Sequence, residues 1–193
     1  MSCFKEEQRT ARGISFISGG VRSGKSSFAE KWAEGNKKRD GRLVYIATAK
    51  PTDHEMIERI RKHQHDRLLK NESWITIEQE RDLSNICGQL RPADTVLVDC
   101  LTIWLSNEMF AHSEQRSMQE VQRNMCEALH YVQEACSHLV IVSNDIFHEM
   151  LPEAKETKAY VQALGQLHQY IVRHAGAAVK LEFGKPIWMK GGR

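Results

Sequence analysis

Ile14-Ser15-Phe16-Ile17-Ser18-Gly19-Gly20-Val21-Arg22-Ser23-Gly24-Lys25-Ser26 is an apolar run that breaks into a glycine-rich octet and continues into helix formers. Residues 19–26 match G-x-x-x-x-G-K-[ST], and the match stands where the motif must stand, after a predicted strand and before a predicted helix. Glycines let the backbone close around phosphate oxygens, and the N–H groups at the start of a helix favour negative charge. The whole octet, Gly19, Gly20, Val21, Arg22, Ser23, Gly24, Lys25 and Ser26, is therefore expected to bind nucleotide. Lys25 would bridge the terminal phosphates, and the Ser26 hydroxyl would be a ligand to Mg²⁺.

Outward from this octet, short apolar runs recur at Ile14–Ile17, Leu43–Ala47, Thr95–Val98, Leu139–Val142 and Val179–Phe183. They alternate with stretches of helical spacing at Ser26–Lys38, Asp53–Leu69, Leu101–Phe110, Ser117–Ser137 and Glu153–His174. Runs apolar throughout suit strands covered on both faces, and parallel strands need crossover helices, so the alternation predicts an α/β fold with a mostly parallel sheet and helices on both faces. Two weaker strand signals, Trp74–Ile77 and Ile187–Met189, would extend the edges. The four prolines, Pro51, Pro92, Pro152 and Pro186, fall between predicted elements.

The chain has 193 residues, enough for one substantial core. The expected organisation is one domain over 13–193, preceded by a polar, disordered lead-in over 1–12. The 27 basic and 25 acidic residues are interspersed, so no field for nucleic acid is implied. No run approaches the ~20 apolar residues of a membrane span, and the polar N-terminus lacks the features of a secretory signal. Five scattered cysteines without a C-x-x-C pair fit reduced thiols, and the expected location is the cytoplasm. Cys100 reads as a small buried hydrophobe.

Val96-Leu97-Val98-Asp99 is an apolar strand ending in a carboxylate, which makes Asp99 the second candidate for orienting Mg²⁺ beside the phosphates. In the predicted helix after Asp53, His63 shares a face with Arg59 and Arg67. A basic solvated face with incidental histidines and a nucleophilic imidazole held neutral by nearby cations are both compatible with that spacing.

These residues resemble the bifunctional adenosylcobinamide kinase and adenosylcobinamide-phosphate guanylyltransferase family of cobalamin biosynthesis. The resemblance rests on the octet at 19–26, Tyr45-Ile46-Ala47-Thr48-Ala49, and the spaced run Glu55-Met56, Arg59-Ile60, His63 and Arg67. It continues through Trp74, Thr76 and Glu78, then Val98-Asp99-Cys100-Leu101-Thr102, Trp104-Leu105-Ser106-Asn107 and Val142-Ser143-Asn144. It implies a RecA-like P-loop fold, commonly a homotrimer, with GTP and/or ATP as substrates and a corinoid as the small-molecule partner. It further implies that His63 takes GMP from GTP as a covalent phosphoramidate and passes it to adenosylcobinamide phosphate. By the same resemblance Ala47, Thr48, Ala49, Arg67 and Glu78 are candidate GTP contacts, Glu78 through guanine N1–H and N2–H.

The chain departs from the family pattern in two places. Where the family has Ser-Asn-Glu-Val-Gly and then Gly-Ile-Val-Pro, this chain has Ser143-Asn144-Asp145-Ile146-Phe147 and continues to Pro152 without glycine. An expected Asn-Gln pair in the last long helix is His168-Gln169. The departures imply a change on the corinoid side or in one of the two activities, with the nucleotide side intact. Two other readings of the same residues are a P-loop kinase of another small alcohol and a nucleotide-dependent regulatory protein without turnover.

Overall fold

The computed structural model describes residues 13–49, 73–110, 117–147 and 154–191. His63, Arg67, the helix expected at Asp53–Leu69 and the lead-in over 1–12 lie outside the described residues.

Side chains on successive strand residues point to opposite faces, and the buried residues sort accordingly. Ile14, Phe16, Val44, Ile46, Val96, Val98, Leu139 and Ile141 join one core cluster, whereas Ile17, Leu43, Leu97, Val140 and Val142 join another. The strands are β1 (Ile14–Gly19), β2 (Leu43–Ala47), β3 (Trp74–Glu78), β4 (Thr95–Asp99), β5 (His138–Asn144), β6 (Ala177–Glu182) and β7 (Lys185–Lys190). They form a seven-stranded sheet in the order β3-β2-β4-β5-β1-β6-β7, parallel except for the β6–β7 pair.

Helix α1 (Lys25–Gly35) covers one face through Ala29 and Ala33. The other face is covered by α2 (Leu101–Phe110), α3 (Met118–Glu134), α4 (Lys155–His174) and a 3₁₀ turn at Leu83–Gln89. Helix α3 begins on a reciprocal cap in which Ser117 Oγ accepts from the Glu120 amide and the Glu120 carboxylate accepts from the Ser117 amide. The doubly covered, mostly parallel α/β sheet expected from the RecA-like P-loop reading is thus the fold observed.

Two local expectations change. Pro186 lies inside β7 rather than between elements. Strand β7 is the sheet edge, and an edge position tolerates proline because no neighbour requires its missing N–H. The 3₁₀ turn was not expected, since Leu83 and Ile86 are its only buried residues and give no periodic run.

Candidate phosphate-binding site

The C-terminal ends of β5 and β6, the neighbours of β1, meet the loop that follows Gly19, since the Asp145 amide donates to the Gly19 carbonyl and the Gly184 amide to the Ser23 carbonyl, and this is the edge where ligands collect in open α/β sheets. The chain leaves β1 at Gly19, and a Cβ there would lie 2.6 Å from Ser23 Oγ and 2.7 Å from the Leu181 carbonyl oxygen, so only glycine fits. Arg22 and Gly24 take left-handed φ values of 59° and 87°. The Lys25 ammonium donates to the Gly20 carbonyl at 3.1 Å, folding across the loop. Gly24 caps α1 without a side-chain oxygen, and no acidic residue stands in the first turn. Ser23 Oγ is buried and, among the described residues, has no hydrogen-bond partner. Uncapped amides and an orphan hydroxyl around one cradle are the donors an anion would satisfy.

Asp99 ends β4, two strands from β1 and hence roughly 10 Å across the sheet. Its carboxylate accepts from Tyr45 Oη at 3.0 Å. Beside it, burial pushes the Cys100 thiol up to about 11, with Asp99 adding to the shift and Lys25 opposing it. Cys100 is therefore a thiol held protonated at neutral pH, a small buried side chain rather than a nucleophile.

Thr48 is fully buried, and its polar groups are engaged. Its amide donates to the Asp99 carbonyl, its hydroxyl donates to the Cys100 carbonyl at 2.9 Å and accepts from the Cys100 amide at 2.8 Å, and its carbonyl accepts from Asn107 at 2.8 Å. Ala47 offers its carbonyl to the Gln79 amide. This turn clamps β2 to the β4–α2 junction. Asn107, Tyr45 and Thr102, which joins the Asn144 amide group to the Cys100 thiol, were not singled out by role from sequence. Glu78 is exposed at the end of β3 and lines a polar cleft of about 230 Å³ with Gln79, Glu80, Arg81 and Asp82. The cleft is braced from α2, where Asn107 donates to the Glu80 carbonyl and Glu108 accepts from the Asp82 amide.

The sequence model of the cobinamide kinase / cobinamide phosphate guanyltransferase family matches residues 15–189. The chain belongs to this family. It is 33% identical over 177 residues to the bifunctional adenosylcobalamin biosynthesis protein CobP of Pseudomonas aeruginosa, covering 91% of this chain and 96% of that protein. It is 29% identical over 169 residues to CobU of Salmonella typhimurium, covering 82% and 90%. Among solved structures, the flagellar accessory protein FlaH of Methanocaldococcus jannaschii is similar at 13% identity and a TM-score of 0.49, over 93% of this chain and 79% of that one.

The two departures from the family pattern meet in space. The ring of Phe147 stands edge-on to His168 at 5.2 Å, and Phe147 Cε1 lies 3.5 Å from where a Gly165 Cβ would be. His168 also packs on Phe16 at 4.8 Å and shares a 2.7 Å hydrogen bond with Ser143. Burial lowers its pKa to about 4 from 6.5, against the opposing pull of Asp145. A histidine with a depressed folded pKa binds fewer protons than in the unfolded chain. Its contribution is therefore complete above pH ~6.5 and is lost as pH falls toward ~4, by about 2–3 kcal/mol. Urea unfolding at pH 7.5, 5.5 and 4.5 should show wild type losing that much more stability than His168→Asn. Parallel pH dependences would mean that His168 is not held neutral.

Proposed function

We propose that this member of the family performs both reactions in its family's name, phosphorylating adenosylcobinamide and then guanylylating the phosphate. The observation that carries the proposal is the family match from 15 to 189 over a phosphate loop with uncapped helix amides and a free buried hydroxyl.

In the first reaction the corinoid hydroxyl attacks the γ-phosphorus of ATP or GTP, an oxygen–phosphorus bond forms, and the nucleoside diphosphate leaves. In the second, a ring nitrogen of His63 attacks the α-phosphorus of GTP, and pyrophosphate leaves. A phosphate oxygen of adenosylcobinamide phosphate then displaces the histidine, giving adenosylcobinamide-GDP. Lys25 and the loop amides take up charge on the β- and γ-phosphates, as donor group in one reaction and as departing pyrophosphate in the other. Ser26 and Asp99 supply the hydroxyl and carboxylate oxygens that suit Mg²⁺, which when bound neutralises phosphate charge. Arg67 offsets charge near the α-phosphate, and Glu78 accepts from guanine N1–H and N2–H. Because Thr48 has its polar groups engaged, the Ala47–Ala49 turn acts by positioning and by its surface rather than through the Thr48 side chain. The family resemblance supports a homotrimer, the scattered cysteines without a C-x-x-C pair support a cytoplasmic location, and no helix among the described residues is long and apolar enough to cross a membrane.

Incubation with Mg²⁺ and GTP labelled at the α-phosphate should leave acid-labile, alkali-stable label on the wild-type chain. His63→Ala should lose the label and retain corinoid phosphorylation. An unlabelled wild type under conditions where GTP binds would overturn the guanylyl-histidine.

A further inference from the structure

The hairpin between β6 and β7 turns through Phe183 and Gly184, with φ values of 49° and 76°. Two successive left-handed residues make a tight turn that asparagine or aspartate followed by glycine would serve well, and a bulky side chain at the first position is disfavoured. Phe183 is nonetheless aromatic, and at 101% relative exposure its ring lies wholly in solvent. Packing among the described residues thus gives no reason for the residue, while both backbone conformation and solvent exposure oppose it. Such an outlier is a pointer to function when it stands at a site.

It does stand at one. The Gly184 amide donates to the Ser23 carbonyl of the phosphate loop at 3.2 Å, and a Cβ on Gly24 would meet Gly184 Cα at 3.7 Å. The hairpin is also anchored to α1, since Trp188 packs on Trp32 at 5.2 Å and the Trp32 indole donates to Ser15 Oγ at 2.8 Å. The ring is consequently carried on a braced turn beside the loop. Strand β6 flanks β1 on the side away from β5 and β4, so a triphosphate whose terminal group points toward Asp99 has its nucleoside running toward this hairpin. Glu78 is at the other end of the sheet, four strands from β1, or roughly 19 Å, against one strand for β6.

We propose that Phe183 is a stacking platform for the base of the nucleoside triphosphate that gives up its γ-phosphate, a nucleoside subsite separate from the Glu78 cleft. The inference rests on the reading of residues 19–26 as the triphosphate loop. The same loop then serves nucleotides lying in two directions, with the base at the hairpin for phosphoryl transfer and at Glu78 for guanylyl transfer. Stacking uses the π face common to all bases, so adenine and guanine donors are held alike.

The test is steady-state kinetics on the full chain carrying Phe183→Asn, which suits the turn and removes the ring, with Phe183→Tyr as the variant that keeps it. Phe183→Asn should raise the donor KM for ATP and for GTP in corinoid phosphorylation by roughly 5- to 100-fold with little change in kcat. Phe183→Tyr should restore it, and the GTP concentration giving half-maximal protein labelling should not move. An unchanged donor KM in Phe183→Asn overturns the platform, and an equal rise in both reactions overturns the separate subsite. Lys25→Ala runs alongside. Donor turnover left at the wild-type rate by Lys25→Ala takes down the loop reading and the platform together, whereas a Lys25→Ala of strongly lowered kcat with an unchanged donor KM in Phe183→Asn takes down the platform alone.

Discussion

Lys25→Ala is expected to lower kcat in both corinoid phosphorylation and guanylyl transfer by roughly 10²–10³-fold, the cost of deleting one preorganised charge donor from a phosphoryl site. The two reactions break different bonds, one at the γ-phosphorus and one at the α-phosphorus, yet each builds negative charge on oxygens of the β- and γ-groups. A single ammonium poised over the loop is placed to answer both. Its bond to the Gly20 carbonyl at 3.1 Å holds it across the cradle. Losing one such partly buried hydrogen bond costs about 1 kcal/mol, so the thermal midpoint should move by only a few degrees. Lys25→Arg should recover little, because a planar guanidinium is larger than the compact ammonium the loop encloses. Turnover assays paired with a thermal melt check the whole pattern. Loss of one activity with full retention of the other would mean that the loop serves only one reaction.

The candidate phosphate loop could be proposed from sequence because the chemistry it would perform is local. Eight consecutive residues supply the glycines, the lysine and the serine, and the flanking strand and helix have ordinary signatures. The central strands were legible for a related reason, since a strand buried on both faces is apolar at successive positions, as Val96-Leu97-Val98 is. Strand β7 has five exposed residues of six and carries Pro186, so only the short run Ile187–Met189 announced it, and its start at Lys185 was not legible. Strand order leaves no mark on any one segment. The elements that shape the site around the loop were hidden because they are tertiary. Thr48 meets Cys100 across 52 positions and Asn107 across 59, while Thr102 meets Asn144 across 42. Phe147 and His168 were visible as two separate departures, and only the fold shows that they are one, a ring filling the space over Gly165 against a neutral imidazole.

The largest loss of stability should come from Asp94→Ala, about 3 kcal/mol in urea unfolding at pH 7. Asp94 is fully buried at the N-terminal edge of the sheet, where its carboxylate accepts from Arg42 Nε at 3.0 Å and Nη2 at 2.6 Å and from the amides of Arg42 and Arg91. Its carbonyl takes the Ser137 amide, and the next amide, on Thr95, donates to the Arg42 carbonyl. One residue thereby ties the starts of β2, β4 and β5 together. Burial alone would push the carboxyl pKa up, but the hydrogen bonds from Arg42 and the two amides outweigh it and hold the carboxyl below its ordinary range. A depressed folded pKa gives stability that is complete above the unfolded carboxylate value and is lost as pH falls through the folded one. The gap between wild type and Asp94→Ala should therefore narrow below pH ~4, where the wild type also loses the pair. The Arg42 side chain is 27% exposed and can recover water when its partner is removed, which keeps the loss at the low end for a broken buried pair. Because the strands are parallel, this clamp lies at the edge opposite the phosphate loop. Nucleotide KM should stay at the wild-type value wherever the variant remains folded, and a shift in KM at 10 °C would show that the two edges are coupled through β4.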